Sequence, residues 1–404
     1  MSSALKNITV IDLSRILAGP WASQLLADMG AEVIKVEQPI KGDDTRFWGP
    51  PFIKPATTEQ PPQAAYFHCA NRNKQSIAID ITQSKGQQII KNLVAKADVF
   101  LENFKVGGLA KYGLDYQSLQ KINPQLVYCS ITGFGQTGPS ANKAGYDAMI
   151  QGEGGLMSIT GDPEGAPMKV GVAVVDIMTG LYSSNAILAA LMARHHTHQG
   201  QHIDIALLDV QLAMLANQGM NYLTTKENPQ RRGNGHPTIV PYQCFASQDG
   251  NVILAVGNDK QFQRFCQVAK LEELSSDKRF DTNEQRVINR SKLIPLLAEK
   301  LALFPSAWWI ETLEKVAVPC GSVNTVEQAI NHPQIQHRNM IKQLPNSDGQ
   351  MIHTIASPIH FSETPLQYHR SAPNLGQDSQ NILSKTLGYS ESEIKQLFKE
   401  SIVG

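Results

Sequence analysis

The stretch ITVIDLSRILAGPWASQLLADMGAEVIKVE, residues 8–37, determines the fold prediction. It contains an apolar strand segment, a helix segment that begins near Gly19 and Pro20, and a second apolar strand segment. Strands that are apolar without alternation are typical of a parallel sheet that helices cover on both faces. The stretch therefore predicts the first βαβ unit of an α/β domain.

The same alternation continues along the chain. Further strand and helix segments follow at residues 76–81, 85–97, 98–104, 125–135, 180–194 and 200–209. We therefore predict an α/β fold whose large domain contains a doubly wound parallel sheet. A polar stretch with Pro and Gly at residues 224–243 marks a boundary, and residues 242–256, with Asp249-Gly250 as the turn, predict a hairpin in a smaller domain.

Composition excludes several classes of function. The 404-residue chain is 42% hydrophobic, and Lys plus Arg equals Asp plus Glu at 36 each, so no long-range field favours nucleic acid or an anionic membrane. The N-terminus lacks the pattern of a signal peptide and no apolar run has the length of a membrane span, so we expect a cytoplasmic protein. The five cysteines include no CxxC pair, which argues against disulfides and a zinc site.

Local motifs narrow the chemistry further. The sequence has no GxSxG elbow and no Walker motif. The histidines of RHHTHQGQH, residues 194–202, lack HExxH spacing and follow a helix, so we expect a helix end and a loop rather than metal ligands. Two clusters indicate a local site for a bulky anionic ligand. They are Asn71, Arg72, Asn73 and Lys74 before one predicted strand, and Lys105 with Lys111 after another.

Asp176 lies in VAVVDIMTG, residues 172–180, between a β-branched run and small residues that lead into a helix. By residue type alone, this pattern favours a strand that ends in a helix N-cap, because an aspartate oxygen can accept a free amide of the first turn. The same amides could instead hold a reactive carboxylate in its ionised form. The residue types leave both interpretations open.

Taken together, several segments resemble the family III CoA-transferases of the CaiB/BaiF superfamily. The segments that carry the resemblance are AGPWASQLLADMGAEVIKVE, NRNKQSIAID, ENFKVGGLAKYG, SITGFGQTGP, AGYDAMIQGEGG, VVDIMTG, QGQHIDIALLD and GNGHPTIVPYQ. The resemblance implies a large α/β domain built from both chain ends, which we place at residues 1–220 and 326–404, and a smaller α+β domain at 221–325. It also implies an interlocked homodimer.

The resemblance makes Asp176 the nucleophile that attacks an acyl-CoA thioester, which is covalent catalysis by a carboxylate. CoA and acyl-CoA would then be substrates, and no metal is implied. The Gly-rich RRGNGHP segment, with Gly233 and Gly235, is similar to the mobile family loop that shields the intermediates. The branch that acts on succinate and related dicarboxylates is the most similar, and the candidates for binding a second carboxylate are Arg15, Arg46 and His236.

The resemblance also implies positions that contact CoA. These are Leu17, Ala18, Ile79, Asn103, Lys105, Lys111, Ala144, Gly145 and Asp147, with Arg72 as a further candidate for the phosphates. Two departures matter: Gln38 stands where many relatives have an arginine, and Leu17 replaces the glutamine of the formyl-CoA:oxalate enzymes. The first shifts the phosphate contacts to other cations, and the second argues against oxalate as a substrate.

Two alternatives remain at this point. The superfamily also contains α-methylacyl-CoA racemases, which carry a histidine where this chain has Tyr146, our second candidate catalytic residue. A tyrosine, with an ordinary pKa near 10, is a poor proton acceptor at neutral pH, which favours the transferase. A non-catalytic CoA-binding protein on the same fold is the other alternative.

Overall fold

The computed structural model describes residues 3–54 and 61–404. Its strands in chain order are β1 Thr9–Asp12, β2 Glu32–Glu37, β3 Phe52–Ile53, β4 Gln63–Ala64, β5 Gln75–Ala78, β6 Val99–Glu102, β7 Val127–Thr132, β8 His202–Ala206, β9 Tyr242–Ala246, β10 Asn251–Ala255, β11 Cys320–Ser322, β12 Ile341–Pro345 and β13 Met351–Ile355.

The α-helices are α1 Ala18–Asp28, α2 Ala65–His68, α3 Ser84–Val94, α4 Tyr116–Leu119, α5 Asp147–Glu153, α6 Leu156–Ile159, α7 Val174–Thr197, α8 Leu207–Met214, α9 Ala216–Thr225, α10 Asp259–Ala269, α11 Glu272–Ser276, α12 Asn283–Ile288, α13 Arg290–Leu301, α14 Ser306–Lys315, α15 Val326–Ile330, α16 Pro333–His337, α17 Ser379–Asn381 and α18 Glu391–Lys399. Short 3₁₀ turns at Asp44–Arg46 and Ala110–Tyr112 and a π-helical turn at Ile382–Thr386 complete the helical structure of the described residues.

The chain divides into two compact units. The first contains Met1–Gly155, Val170–Met220 and Gln334–Gly404, and the second contains Leu156–Lys169 and Asn221–Pro333. The segment at residues 156–169, which the sequence analysis includes in the large domain, clusters with the second unit. Its backbone explains this. The carbonyl oxygen of Gly161 accepts a hydrogen bond from the N–H of Gly233, and the guanidinium of Arg231 donates to the carbonyl oxygens of Asp162 and Gly165.

The first unit contains a six-stranded parallel sheet with the order β5-β2-β1-β6-β7-β8. The predicted α/β fold with a large parallel sheet is confirmed. The chain leaves β1 toward one edge through β2 and β5, then returns to β6 on the other side of β1. In open parallel sheets the ligand crevice lies at this switch point, beyond the carboxyl ends of the strands.

Helices cover both faces of this sheet. On one face Ile11, Ile34 and Phe100 pack against α3, α18 and the C-terminal residues. On the other face, Val10 of β1 and Val99 of β6 pack in a core that includes α1 and α7. Because successive side chains of a strand point to opposite faces, continuous apolar strands fill both cores.

Helix α7 packs closely along α1. A Cβ at Gly180 would lie 2.7 Å from the carbonyl oxygen of Ala18, so only glycine permits this approach. Within the described ranges, α7 has 24 residues and is apolar enough to cross a membrane, and the bent pair α13 and α14 has enough length and apolar character if it is counted as one span. Core helices commonly have the same length and composition, and 44% of the apolar part of α7 is buried. Length and composition are therefore weak evidence of a membrane span.

The second unit has its own core and a three-stranded antiparallel sheet with the order β11-β10-β9. The predicted hairpin is confirmed: β9 and β10 pair antiparallel on either side of the Asp249-Gly250 turn. In the first unit, Ser390 and Glu393 form a capping box at the start of α18, as the S-x-x-E spacing predicts.

Candidate active site

A cavity of about 280 Å³ lies at the switch point of the parallel sheet. Its walls come from the carboxyl ends of four neighbouring strands and include Arg15 after β1, Gln38 after β2, Ile79 after β5 and Phe104 after β6. Ile79, which the resemblance assigns to CoA, thus lines this cavity. Gln38, which replaces an arginine of many relatives, faces the same cavity.

Asn103 joins the two loops on either side of the switch point. Its Oδ1 accepts the backbone N–H of Arg15 at 2.9 Å, and its Nδ2 donates to the Arg15 carbonyl at 2.7 Å. The Arg15 guanidinium donates to Asp44 at 2.7 Å, with both side chains about half exposed. Asn103 thus positions the loop after β1, and Arg15 of this loop lines the cavity.

Leu17 and Ala18 lie where the chain enters α1 after this wall, with exposed fractions of only 5% and 4%. Leu17 is the N-cap of α1 and contributes no side-chain cap. An apolar side chain leaves the first amides of the helix without a side-chain acceptor from this position. Any ligand contact at these two residues would therefore involve the main chain.

Lys105 and Lys111 are exposed on the loop that follows β6. Lys105 borders a second cavity, of about 200 Å³, which also contains Glu102, Ser130 and His202. The Lys111 ammonium lies 4.7 Å from the ring centroid of Tyr112, a residue of the first cavity. Both lysines are available to an anionic ligand at the carboxyl edge of the sheet.

The structure corrects the expectation for Arg72. Its Nε and Nη2 bind both oxygens of Asp28, at 2.9 and 2.5 Å, and its Nη1 donates to the Ile355 carbonyl. Only 3% of the residue is exposed. Burial and this paired geometry make Arg72 a structural ion pair, so its guanidinium has no free face for a phosphate.

Arg46 is corrected in the same way. It forms a bidentate pair with Glu37, at 2.8 and 2.7 Å, donates to the Pro373 carbonyl, and lies 3.7 Å from the centroid of the Phe67 ring. Burial raises the pKa of Glu37, but Arg46, together with the charge of Lys35 and a hydrogen bond from Ser76, outweighs burial and the net shift is downward. Arg46 therefore neutralises a buried carboxylate and is not free to bind the distal carboxylate of a substrate.

Asp176 is the third residue of α7, a partly buried position in the first turn. The expected strand before it is wrong, because residues 170–173 form no strand and α7 begins at Val174. The expectation of an N-cap is also wrong, because Ala173 holds that position and makes no side-chain cap. Burial, and secondarily the charge of Asp147, raises the pKa of Asp176 to about 7.

The cap of α7 comes from a distant part of the chain. Asp147 Oδ1 accepts the backbone N–H groups of Val175 at 2.8 Å and Asp176 at 3.3 Å, and its Oδ2 accepts Nε2 of Gln151 at 2.6 Å. Gln151 is fully buried, and its Oε1 accepts the N–H of Val170. A CoA contact at Asp147, which the resemblance implies, would therefore be additional to three hydrogen bonds within the protein.

The residues before Asp147 are held by a backbone contact. A Cβ at Gly145 would lie 2.5 Å from Cα of Gly133, so neither position accommodates a side chain. Ala144 is exposed, and Tyr146, the N-cap of α5, has an exposed fraction of 59%. The AGYD segment is thus pressed onto the loop after β7 and presents Tyr146 to the outside.

No sequence motif reveals Tyr66, which is coupled electrostatically to Asp176, or Trp48, which contacts Tyr66. Burial, and next the charge of Asp176, raises the pKa of Tyr66 to about 12, which places the hydroxyl in the electrostatic range of the nucleophile candidate. Trp48 packs edge-on against Tyr66, with ring centroids 5.5 Å apart. No spacing or motif marks these residues, and Tyr66 is far from Asp176 in sequence, so the coupling between them is evident only in the folded chain.

The glycine-rich segment belongs to the second unit. Gly233 has φ +55, a left-handed conformation that suits glycine, and the ring of His236 lies 5.3 Å from the Tyr242 ring. Burial, with a further contribution from Arg290, lowers the pKa of His236. Gly235 donates its N–H to the Arg232 carbonyl, which forms a tight turn.

The sequence profile of CoA-transferase family III matches residues 5–379. The chain is 50% identical over 381 residues to a succinate–glutarate CoA-transferase of Agrobacterium fabrum, covering 94% of this chain and 95% of that protein. It is 40% identical over 399 residues to the human succinyl-CoA:glutarate CoA-transferase, covering 99% of this chain and 90% of the human protein.

A crystal structure of a CAIB/BAIF family protein from Brucella suis is similar to the whole chain. It has 48% sequence identity and a TM-score of 0.84, and the match covers 95% of this chain and all of that one. The likeness in structure and the likeness in sequence therefore extend over the same length.

Proposed function

This chain belongs to CoA-transferase family III, and on that premise we propose that it moves CoA from succinyl-CoA to a free dicarboxylate such as glutarate. The observation that carries the proposal is the carboxylate of Asp176, partly buried in the first turn of α7. Two relatives named for succinate or succinyl-CoA and glutarate, which match nearly the full chain, support the substrate class.

The proposed reaction uses Asp176 in four balanced steps. The carboxylate attacks the thioester carbonyl of succinyl-CoA, forms a mixed anhydride and releases the CoA thiolate. The thiolate attacks the aspartyl carbonyl, which releases succinate and leaves an aspartyl-CoA thioester. The acceptor carboxylate then displaces the thiolate to form a second anhydride, and the thiolate attacks its acceptor carbonyl, which yields the new acyl-CoA and restores Asp176.

The environment of Asp176 suits a nucleophile. Burial raises its pKa to about 7, so a substantial fraction is ionised at neutral pH, and a more basic carboxylate is a stronger nucleophile. Tyr66 remains protonated at this pH because its own pKa is raised to about 12, so it can donate a hydrogen bond. A neutral hydroxyl that reaches the reacting carbonyl would stabilise the oxyanion that develops during attack.

We assign CoA to the cavity at the switch point. Arg15 and the nearby Lys105 and Lys111 supply positive charge, while Arg72 is already paired. Phosphate groups are bound well by such flexible cations at the carboxyl edge of a parallel sheet. The shielding role of Gly233 and Gly235, and a role of His236 toward the distal carboxylate, stay predictions from the family resemblance.

A homodimer is part of the proposal. Large apolar side chains are exposed on α7 and α8, with exposed fractions of 41% for Leu181, 44% for Tyr182, 62% for Met192 and 64% for Leu212. Large apolar side chains exposed on two helices that pack together are the kind of surface that a protein interface covers, and interlocking of two subunits would cover them. Light scattering of the purified protein should give twice the mass of the chain.

The test of the function uses succinyl-CoA with a panel of free mono- and dicarboxylic acids, read as new acyl-CoA masses. We expect turnover with glutarate and weaker turnover with monocarboxylic acids. Hydroxylamine added after succinyl-CoA should leave a hydroxamate on the peptide that contains Asp176, and Asp176→Asn should abolish both signals. Full turnover by Asp176→Ala would overturn the covalent mechanism, and no transfer to any acid would favour a non-catalytic CoA-binding protein.

The racemase alternative receives no support from Tyr146. The residue is exposed and is a tyrosine where the racemases carry histidine. Incubation of a 2-methylacyl-CoA in deuterated water without an acceptor acid should therefore leave its α-hydrogen unexchanged.

A further inference from the structure

The cap of α7 bears on the acyl-transfer step. What it implies for that step rests on the proposed function. We propose that Asp147 is a positioning residue for Asp176: its carboxylate both fixes the start of the helix that carries the nucleophile and keeps a negative charge beside it. The family resemblance assigns Asp147 to CoA, whereas its contacts point to the nucleophile. It acts through Asp176 and not on the substrate.

The geometry supports the first half of this role. Helix α7 has no side-chain cap of its own, since Ala173 occupies the N-cap. Asp147 supplies the missing acceptor from 28 positions earlier in the chain, through Oδ1 to the N–H of Val175, and 29 positions earlier through the same oxygen to the N–H of Asp176. Because the backbone N–H of Asp176 itself is held, the starting direction of its side chain is set.

A second set of contacts holds Asp147 in place. Gln151, on the next turn of α5, donates to Asp147 Oδ2 at 2.6 Å and is itself fully buried. Gln151 Oε1 accepts the N–H of Val170 at 2.8 Å, which ties α5 to the chain that leads into α7. Asp147 therefore cannot turn away from α7 without breaking contacts at both of its oxygens.

The second half of the role is electrostatic. The amides at the start of α7 would lower the pKa of Asp176 if they bound its carboxylate, but two of them bind Asp147 instead. The fixed negative charge then adds to burial and favours the protonated form of Asp176. Asp147 thereby makes the nucleophile more basic, and a more basic carboxylate attacks a thioester faster once it is ionised.

Few other charged groups influence Asp176. Among the described residues, Tyr66 on α2 is coupled to it and stays neutral below a pKa of about 12. The other titratable groups on elements that pack against α7 are Asp28 of α1, Glu153 of α5, Tyr128 and Cys129 of β7, His202 and Asp204 of β8, and Asp209 of α8. None of them is among the groups that shift the pKa of Asp176. A change in the charge of Asp147 is therefore expected to appear directly in the titration of Asp176.

The experiment compares wild type with Asp147→Asn, which keeps an oxygen acceptor for the helix amides and removes the charge. The pH dependence of kcat/KM for succinyl-CoA should show an acid limb near pH 7 in wild type. In Asp147→Asn the limb should move down by about one pH unit, because loss of a neighbouring like charge favours ionisation. The variant should thus be faster than wild type on the acid side and slower on the alkaline side.

The control is Glu153→Gln, which removes the same charge from the exposed end of the same helix. Its pH profile should coincide with that of wild type. Asp147→Ala removes the acceptor as well, so its kcat/KM should be lower than that of Asp147→Asn at every pH. The new amide of Asp147→Asn faces the Gln151 amide nitrogen, so the double variant D147N/Q151M serves if the single variant folds poorly.

A second readout separates this inference from the proposed function. The carboxyl carbon of Asp176, labelled with ¹³C and assigned by its loss in Asp176→Asn, can be titrated by NMR without any turnover. A lower pKa in Asp147→Asn supports the positioning role even if no acid accepts CoA. Equal pKa values and parallel pH profiles in wild type and Asp147→Asn would overturn it, even for an active transferase.

Discussion

Asn103 and Arg15 are joined by two hydrogen bonds, one to the backbone N–H and one to the carbonyl of Arg15, at 2.9 and 2.7 Å. The bonds connect the loops after β6 and β1, the two strands between which the sheet order reverses. The cavity to which we assign CoA opens between these loops, and its shape depends on this pair.

Asn103→Ala should therefore raise the KM for succinyl-CoA while changing kcat little. Loss of two bonds of about 1 kcal/mol each, partly replaced by water, corresponds to roughly a tenfold change. Initial-rate kinetics with varied succinyl-CoA measures it. Asn92→Ala, which removes a surface amide on α3 bonded to Tyr389, is the control and should leave KM unchanged. An unchanged KM in Asn103→Ala would mean that the loops keep their positions without the clamp.

Asp176→Asn should stabilise the folded protein as it abolishes transfer. The ordinary pKa of the group is 3.8 and its folded value is about 7, so the folded state binds the proton more tightly than the unfolded state. The wild type consequently loses stability as pH rises between these values, by up to about 4 kcal/mol, and the variant does not. The stability difference should grow from pH 4 to 7 and be constant above.

Urea unfolding at a series of pH values measures this difference. Asp209→Asn, an exposed aspartate on α8, should show no comparable gain. If Asp176→Asn were no more stable than wild type at pH 8, burial of the carboxylate would carry no cost.

Gly145→Ala should lower kcat by a larger factor than it lowers the folded fraction of the protein. The new Cβ would meet the backbone of Gly133 at 2.5 Å and push away the segment that leads to Asp147 and the cap of α7. A displacement of about 1 Å at a catalytic group can reduce the rate roughly 100-fold. Single-turnover formation of the Asp176 adduct is the measurement.

The control for this steric effect is Gly321→Ala on β11, where a Cβ meets nothing within 4 Å. It should transfer CoA at the wild-type rate. Normal adduct formation in Gly145→Ala would show that the contact between the two glycines does not position α7.

Arg46→Met should destabilise the protein by about 3–5 kcal/mol, because it leaves Glu37 buried without its partner. The folded fraction should keep the wild-type KM for glutarate, since Arg46 is fully engaged within the protein. Chemical unfolding and acceptor kinetics measure the two effects. Adding Glu37→Gln should recover most of the stability, whereas a large rise in KM for glutarate would restore Arg46 as a substrate ligand.

Tyr66→Phe should lower kcat about tenfold or more if its hydroxyl donates to the developing oxyanion near Asp176. Steady-state kinetics at saturating succinyl-CoA measures the change. Tyr389→Phe, which removes a hydroxyl bonded to Asn92, provides the comparison and should leave kcat unaltered. Equal kcat values in the two variants would exclude Tyr66 from the reaction.

Sequence analysis predicted the features that depend on local pattern. The apolar strands around residues 8–37 predicted the parallel sheet, Asp249-Gly250 predicted the hairpin, and Ser390 with Glu393 predicted the capping box. Each rests on residues close in sequence, where backbone propensity and side-chain periodicity act directly. The start of α7 departed from prediction because residues 170–173 form no strand and the helix already begins at Val174, with Val172 58% exposed and Val175 fully buried.

The sequence by itself determined the order of strands and helices, the edge of the sheet at which we propose that CoA binds, and Asp176 as the residue to test. Only the tertiary structure decided which charges are available. It pairs Arg72 with Asp28 and Arg46 with Glu37, and it places Asp147 on the amides of α7. The reason is physical: the energy of a charge depends on burial and on partners within a few ångströms, and separation along the chain does not specify either.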